Sequence, residues 1–358
     1  MSRFWSDQVH GLAPYVPGEQ PKSSRLIKLN TNENPYPPSP RAVAVLEGSL
    51  GPGLRRYPDP ASSSLRTAAG ARQGLATEQV FAGNGSDEVL ALAFAAFFQQ
   101  RGGRVDPLLF PDISYSFYPV WASFFRTEYA TVPLSDDLTL DLSPYREGRG
   151  AILFPNPNAP TAMALSLGEI EALLADVPDR LVVVDEAYVE FGAESAAPLV
   201  SRFENLLVVH TLSKSHALAG LRIGFAYGHP DLIEGLERVK GSFNSYPIDV
   251  IAERVAVEAL ADEAYFTECR DRIVATRDRS AARLGDLGFV VLPSRANFLF
   301  IRHPKVAARQ LFDSLRAGGI LVRHFAQPRV EDYLRVTIGT DDEMEALVST
   351  LEPLLPRA

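Results

Sequence analysis

Cysteine is almost missing from this chain: Cys269 is the only one in 358 residues. A single thiol closes no intramolecular disulfide and builds no multi-cysteine metal site. That usage fits a reducing compartment, so the cytoplasm is expected. Histidine is scarce too, and the six residues show no His-x-x-x-His spacing, so no metal is expected. There is no basic excess either. A net charge of -9 and a pI near 5.3 argue against a nucleic-acid or anionic-membrane partner, since phosphate-rich surfaces demand a basic face. No apolar run approaches membrane-spanning length, and the opening Met1-Ser-Arg-Phe-Trp lacks the apolar core of a signal peptide.

What is present is ordinary for a globular protein, with 46% apolar and 22% charged residues and enough length for two cores. Residues 1–40 read as an arm, because prolines at 14, 17, 21, 35, 37, 38 and 40 prevent long helices and central strands. Residues 41–248 alternate short apolar runs with helical segments: Leu108-Leu-Phe110, Ala151-Ile-Leu-Phe154, Leu181-Val-Val-Val184 and Leu206-Leu-Val-Val209. Continuous rather than alternating apolar strands imply a parallel sheet covered on both faces. Residues 249–358 begin with a helical stretch to about 287, read as one rod. Short strands and helices follow, as in a smaller α+β unit. The fold class expected is α/β: a large, mostly parallel seven-stranded-type sheet plus a smaller C-terminal domain, with the arm packing near the latter.

Lysine is the rarest charged residue. Of Lys22, Lys28, Lys214, Lys240 and Lys305, only Lys214 directly follows a buried-looking strand. A lysine in a partly desolvated turn beside a second cation, here Arg222, has a depressed pKa and a free amine that attacks an aldehyde. A cofactor bearing an aldehyde and a phosphate, such as pyridoxal phosphate, needs both that amine and an anion site. Arg222 offers a planar fork for phosphate. Gly83-Asn-Gly85-Ser86-Asp87-Glu88 offers a strand, a glycine turn and a helix N-terminus, although Asp87 and Glu88 suit a helix start without any ligand. A dinucleotide fingerprint would require glycine where Glu88 stands, which disfavours a nicotinamide enzyme.

Other residues converge on the strand ends. Asp185 after four apolar residues calls for a cation, and a protonated pyridine nitrogen is one, an N-cap or structural ion pair being the plainer account. Tyr115 can stack on a flat ring or simply belong to the core. The cluster Asn30-Thr-Asn32-Glu33-Asn34 serves either turn chemistry or a pocket wall. Arg335 faces away from Leu334, Val336 and Ile338 on a strand. It can grip a carboxylate, although an isolated arginine there is more often a solvated edge residue.

Taken together, Asn30-Thr-Asn-Glu-Asn-Pro35, Arg56-Tyr57-Pro58, Gly83-Asn-Gly-Ser-Asp-Glu88, Ser114-Tyr115, Asn156-Pro-Asn-Ala-Pro-Thr161, Val184-Asp-Glu-Ala-Tyr188, Ser213-Lys214 and Gly220-Leu-Arg222-Ile-Gly224 resemble the fold-type-I pyridoxal-phosphate aminotransferases. Within them the histidinol-phosphate aminotransferases are nearest. The resemblance covers the chain from about Leu12 onward. It implies pyridoxal phosphate as cofactor and Lys214 as the residue that holds its aldehyde and shuttles the substrate Cα proton. It implies Asp185 at the pyridine nitrogen, Tyr188 at O3′ and Tyr115 stacked on the ring. Gly85, Ser86, Asp87, Thr211, Ser213 and Arg222 are implied around the phosphate. Tyr57 is implied to reach the phosphate of a neighbouring subunit, hence a homodimer. Arg335 is implied at the substrate carboxylate, with Tyr15, Asn30 and Arg323 at the side-chain end. Substrates would be an amino acid or amino alcohol phosphate and a 2-oxo acid, in histidine biosynthesis. One departure stands out: Ala159 replaces the family asparagine that touches O3′, leaving Asn158 or Asn156 as the substitute. Relatives of the same kind act on aromatic and other amino acids, or decarboxylate threonine phosphate. A non-catalytic cofactor-binding sensor is the alternative from another class, against which the intact Lys214, Asp185 and Arg222 set speaks.

Overall fold

The computed structural model describes residues 4, 6–15, 18–19, 26–48, 51–99 and 106–356. Pro17, Pro21 and Lys22 of the arm lie outside these. The strands, in chain order, are β1 (Ile27–Lys28), β2 (Val80–Gly83), β3 (Leu108–Pro111), β4 (Tyr129–Val132), β5 (Ile152–Pro155), β6 (Val182–Asp185), β7 (Leu206–Thr211), β8 (Gly224–Gly228), β9 (Val290–Val291), β10 (Phe298–Arg302), β11 (Ile320–Leu321), β12 (Arg323–His324) and β13 (Leu334–Thr337). Seven of them form one sheet in the order β2-β8-β7-β6-β5-β3-β4. All neighbours are parallel except β8, which runs antiparallel to both β2 and β7.

The apolar runs are continuous because both faces of this sheet are covered. Val182, Val184, Leu206 and Val208 enter one core together with Leu65, Ile170 and Leu173. Val183, Leu207 and Val209 enter the opposite core with Val89, Phe94 and Trp121. Alternation along a strand thus sends neighbouring residues to different layers. The same alternation continues past the last apolar residue of β6, and it separates Asp185 from Glu186.

A second sheet, β12-β13-β10-β9, is antiparallel and packs on helix Glu263–Asp286 through a separate core containing Ile273, Leu284, Leu299 and Val336. The arm joins this unit: β1 pairs in parallel with β11, and Leu29 is buried in the same core. The break expected at residue 249 does not match the packing. Helix Val250–Ala261 buries Ala252, Val255, Ala256 and Ala259 in the large-sheet core. The single rod expected across 249–287 is two helices, because Asp262 caps the second, its carboxylate accepting from the Tyr265 N–H at 3.4 Å.

Among the described residues no helix is long and apolar enough to cross a membrane, and no cluster of histidine, cysteine, aspartate and glutamate could hold a metal.

Candidate active site

Six of the seven strands of the large sheet run in one direction, all but β8, and the cleft at their carboxyl ends, about 170 Å³, is closed by the arm and by the small antiparallel sheet. Open α/β sheets bind ligands at such carboxyl ends. Lys214 enters from the helical turn after β7, where the Thr211 side chain caps the turn by accepting from the Ser213 N–H. Its Nζ donates to the Thr31 carbonyl of the arm at 3.1 Å and sits 6.0 Å from the Tyr188 ring centre. Burial, and then the positive charge of Arg335, lower its pKa to about 8, against the opposing pull of Glu33 and Asp87. The arm also holds the lysine's own turn: Asn34 Nδ2 donates to the Lys214 and Ser215 carbonyls at 3.0 and 3.2 Å.

One end of the cleft is an anion cradle. Helix Gly85–Phe97 starts directly after β2, and the N–H groups of its first turn have no intrahelical partner. Gly85 stands at φ +82°, and a Cβ there would fall 2.6 Å from an Arg222 guanidinium nitrogen. At Gly224 a Cβ would fall 2.3 Å from the Ser86 nitrogen, so β8 and this turn touch backbone to backbone. Around the cradle lie Ser86, Thr211, Ser213 and Arg222. Arg222 donates to Asp87 Oδ2 at 2.8 Å and reaches Ser213 Oγ at 3.5 Å, while the Tyr115 hydroxyl donates to Asp87 Oδ1 at 2.9 Å.

The cleft floor carries Asp185, 4% exposed. Burial raises its carboxyl to about 6, opposed by donation from the Tyr118 hydroxyl at 2.9 Å and from the Ala187 N–H at 3.3 Å. Tyr188 lines the wall, its hydroxyl accepting from Asn32 Nδ2 at 3.0 Å.

At the other end, β12 and β13 place Arg323 directly opposite Arg335. Like charges facing each other across strands destabilise the pair unless an anion lies between them. Arg335 donates to the Asn30 carbonyl at 3.1 Å, and burial, first among its causes, lowers its pKa. Its Nε and Asn30 Oδ1 are buried without a protein partner among the described residues. Tyr15 of the arm stacks on Phe117 at 4.7 Å and closes this end.

Thirteen of the residues singled out from the sequence line this cleft, Lys214, Ser86, Asp87, Tyr115, Asp185, Tyr188, Thr211, Ser213, Arg222, Tyr15, Asn30, Arg323 and Arg335, with Gly85 beside Arg222. Two do not. Asn158 donates to the Ile113 carbonyl at 3.1 Å and to Thr161 Oγ at 3.0 Å, and Ala159 and Pro160 line the cleft in its place. Asn156 is likewise committed to its own loop, accepting from the Leu165 N–H at 2.8 Å. Tyr57 is 82% exposed and stacks on Tyr246 at 4.7 Å, outside the cleft. Thr31 and Asn32, which the sequence offers only within a cluster suited to turns or a pocket wall, line the cleft, whereas Tyr118 is not among the residues singled out from the sequence. For Tyr118 the signal was its spacing from Tyr115.

The donor set fits pyridoxal phosphate: a cradle for a dianion that only glycine leaves open, a lysine of lowered pKa, and a buried carboxylate with no ion pair among the described residues.

The chain matches the family described as aminotransferase class I and II over residues 24–351. It is 57% identical to histidinol-phosphate aminotransferase 1 of Bordetella parapertussis, with 99% of both chains covered. To histidinol-phosphate aminotransferase 1 of Bradyrhizobium diazoefficiens it is 55% identical, covering 99% of this chain and all of the relative. Its fold is similar to the Sinorhizobium meliloti histidinol-phosphate aminotransferase solved with pyridoxal-5'-phosphate, with a TM-score of 0.86, 23% identity and 99% and 98% of the two chains covered. Cleft, lysine and sequence agree, and the chain belongs to the class I and II aminotransferases.

Proposed function

We propose that this aminotransferase uses pyridoxal phosphate to move the amino group of L-histidinol phosphate to 2-oxoglutarate, in histidine biosynthesis. The observation that carries the reading is a cleft with arginine at both ends, Arg222, ion-paired with Asp87, at one and the opposed Arg323 and Arg335 at the other. The first end suits the cofactor phosphate. The second suits the phosphate of an amino alcohol in one half-reaction and the carboxylates of a 2-oxo acid in the other. Full-length similarity to histidinol-phosphate aminotransferases supports the same substrate.

When bound, pyridoxal phosphate supplies an aldehyde that takes up the amine and a ring that accepts electrons from the substrate Cα. The chain's own residues do the rest. Lys214, with its pKa near 8, holds a useful fraction of free amine at neutral pH and takes the Cα proton. Asp185 provides the anion for the ring nitrogen. Tyr188, steadied by Asn32, presents its hydroxyl to the ring oxygen, and with Ala159 in the wall that tyrosine carries the contact without an asparagine amide. Tyr115, in the cleft wall, would stack on the ring. Gly85, Ser86 and Asp87, through the N–H groups of the helix N-terminus, would hold the phosphate with Thr211, Ser213 and Arg222. Arg335, Arg323, Asn30 and Tyr15 hold the substrate and exclude water. A homodimer in the cytoplasm completes the reading: the exposed Tyr57 is then delivered to a neighbouring subunit's phosphate.

A half-reaction tests it. Protein loaded with pyridoxal phosphate is titrated in turn with L-histidinol phosphate, phenylalanine and threonine phosphate while its visible band is followed. The band should bleach with histidinol phosphate at low concentration and return with 2-oxoglutarate. Preferential bleaching by phenylalanine would replace the substrate assignment, and release of carbon dioxide from threonine phosphate would replace the reaction. Sedimentation at micromolar concentration tests the dimer.

A further inference from the structure

We propose that Tyr118 is a positioning residue for amino transfer, its buried hydroxyl fixing both the orientation and the ionised state of the Asp185 carboxylate. The inference rests on the reading that Asp185 meets the cofactor's ring nitrogen. One turn of backbone delivers two tyrosines to two tasks. The Tyr118 N–H donates to the Tyr115 carbonyl at 3.1 Å, closing the turn that opens helix Tyr118–Phe125. Tyr115 thereby faces the cleft. Tyr118 lies beneath it, edge to face at 5.7 Å and 89°, with Phe110 and Trp121 at 5.8 and 6.3 Å.

Tyr118 is 0% exposed, and a buried phenol needs a hydrogen-bond partner. Its partner is Asp185 Oδ2 at 2.9 Å. Burial, and then the Asp185 charge, hold the phenol protonated at every working pH, so it acts only as a donor. Donation to the charged form of an acid favours that form and opposes the desolvation that Asp185 suffers. The other groups acting on Asp185 are the Ala187 N–H, Asp87, whose charge disfavours ionisation, and His210, which favours it. With Oδ2 tied to Tyr118 and Oδ1 to Ala187, the carboxylate cannot rotate freely, and its remaining lone pairs are left for the cleft. A ring nitrogen that must stay protonated requires an anion in that state and that pose.

The test uses Tyr118→Phe loaded with pyridoxal phosphate. Loss of a hydrogen bond to a charged group should lower kcat about 10-fold, leave KM for the amino donor within about twofold and speed cofactor release. It should also move the acid limb of the kcat–pH profile upward by roughly one unit, because a carboxylate without its donor holds its proton longer. Tyr118→His, which restores a ring N–H, should bring the limb back, and it serves alone if the phenylalanine variant does not fold. Tyr145→Phe is the control: Tyr145 is also 0% exposed, and its hydroxyl has no partner among the described residues. An acid limb and release rate in Tyr118→Phe equal to those of the unaltered enzyme would overturn the proposal. So would the same changes in Tyr145→Phe, which would mark packing as the cause. Asp185→Asn separates the two readings: if it leaves the visible band and kcat untouched, the ring-nitrogen assignment itself fails.

Discussion

Asp185 and Glu186 are neighbours in sequence at the end of β6, yet their surroundings differ completely. Strand alternation turns Asp185 to the layer of Tyr118 and Trp121, and Glu186 to the layer of His210 and Tyr227. Glu186 is saturated: Ser195 Oγ and the Ala196 N–H donate to it at 2.6 and 2.7 Å, and His210 Nε2 lies 2.7 Å away. Asp185 has two donors and one open side toward the cleft. The difference teaches how to sort buried carboxylates. A saturated one holds the fold together, and an unsaturated one, with its pKa raised by burial, is kept for a ligand.

Exchanging each carboxylate for its amide should separate the two most sharply. Asp185→Asn should lower kcat/KM by about 100- to 1,000-fold, as expected when a preorganised charge is removed from a reacting centre. Steady-state rates with histidinol phosphate and 2-oxoglutarate measure it. Glu186→Gln should instead cost about 1–3 kcal/mol of stability, since one acceptor turns into a donor facing Ser195 and His210. Its activity per folded molecule should stay within a few-fold, and chemical denaturation read alongside kcat checks both parts.

The comparison also predicts opposite signs in the cofactor-free protein. Asp185 has its folded pKa raised from 3.8 to about 6, so the native state binds more protons than the unfolded chain between those values. Stability of the cofactor-free protein should therefore fall as pH rises through that window and stay reduced above it. Asp185→Asn should abolish that slope and raise Tm by a few degrees at neutral pH, whereas Glu186→Gln lowers it. Thermal melts between pH 4 and pH 8 decide. The smallest effect belongs to Ser195→Ala, about 1 kcal/mol, because Glu186 keeps its other two partners.

Much of this was legible in the sequence. Val182 to Val184 and Leu206 to Val209 are apolar without alternation because both sheet faces are covered. Lys214 stands where a buried strand gives way to a capped turn, a local pattern that one stretch of chain contains in full. The helical rod misled, because periodicity runs on through Asp262, whereas the break depends on a side chain that caps the next helix and on which core each half meets. Asn158 misled for a related reason. An amide near the expected position does not reach the cleft once Ile113, from a distant loop, offers it a carbonyl.

Strand composition, the strand-to-lysine turn and the glycines of the cradle were determined by the sequence itself, because propensity and burial pattern act over a few residues. Only the tertiary structure decided that Arg323 stands opposite Arg335, that the Thr31 carbonyl receives the Lys214 amine, and that the Tyr118 hydroxyl donates to Asp185. Each of these depends on strand register or on a hydrogen bond between segments far apart in the chain. Such contacts are fixed by the packing of whole layers, which no local pattern encodes.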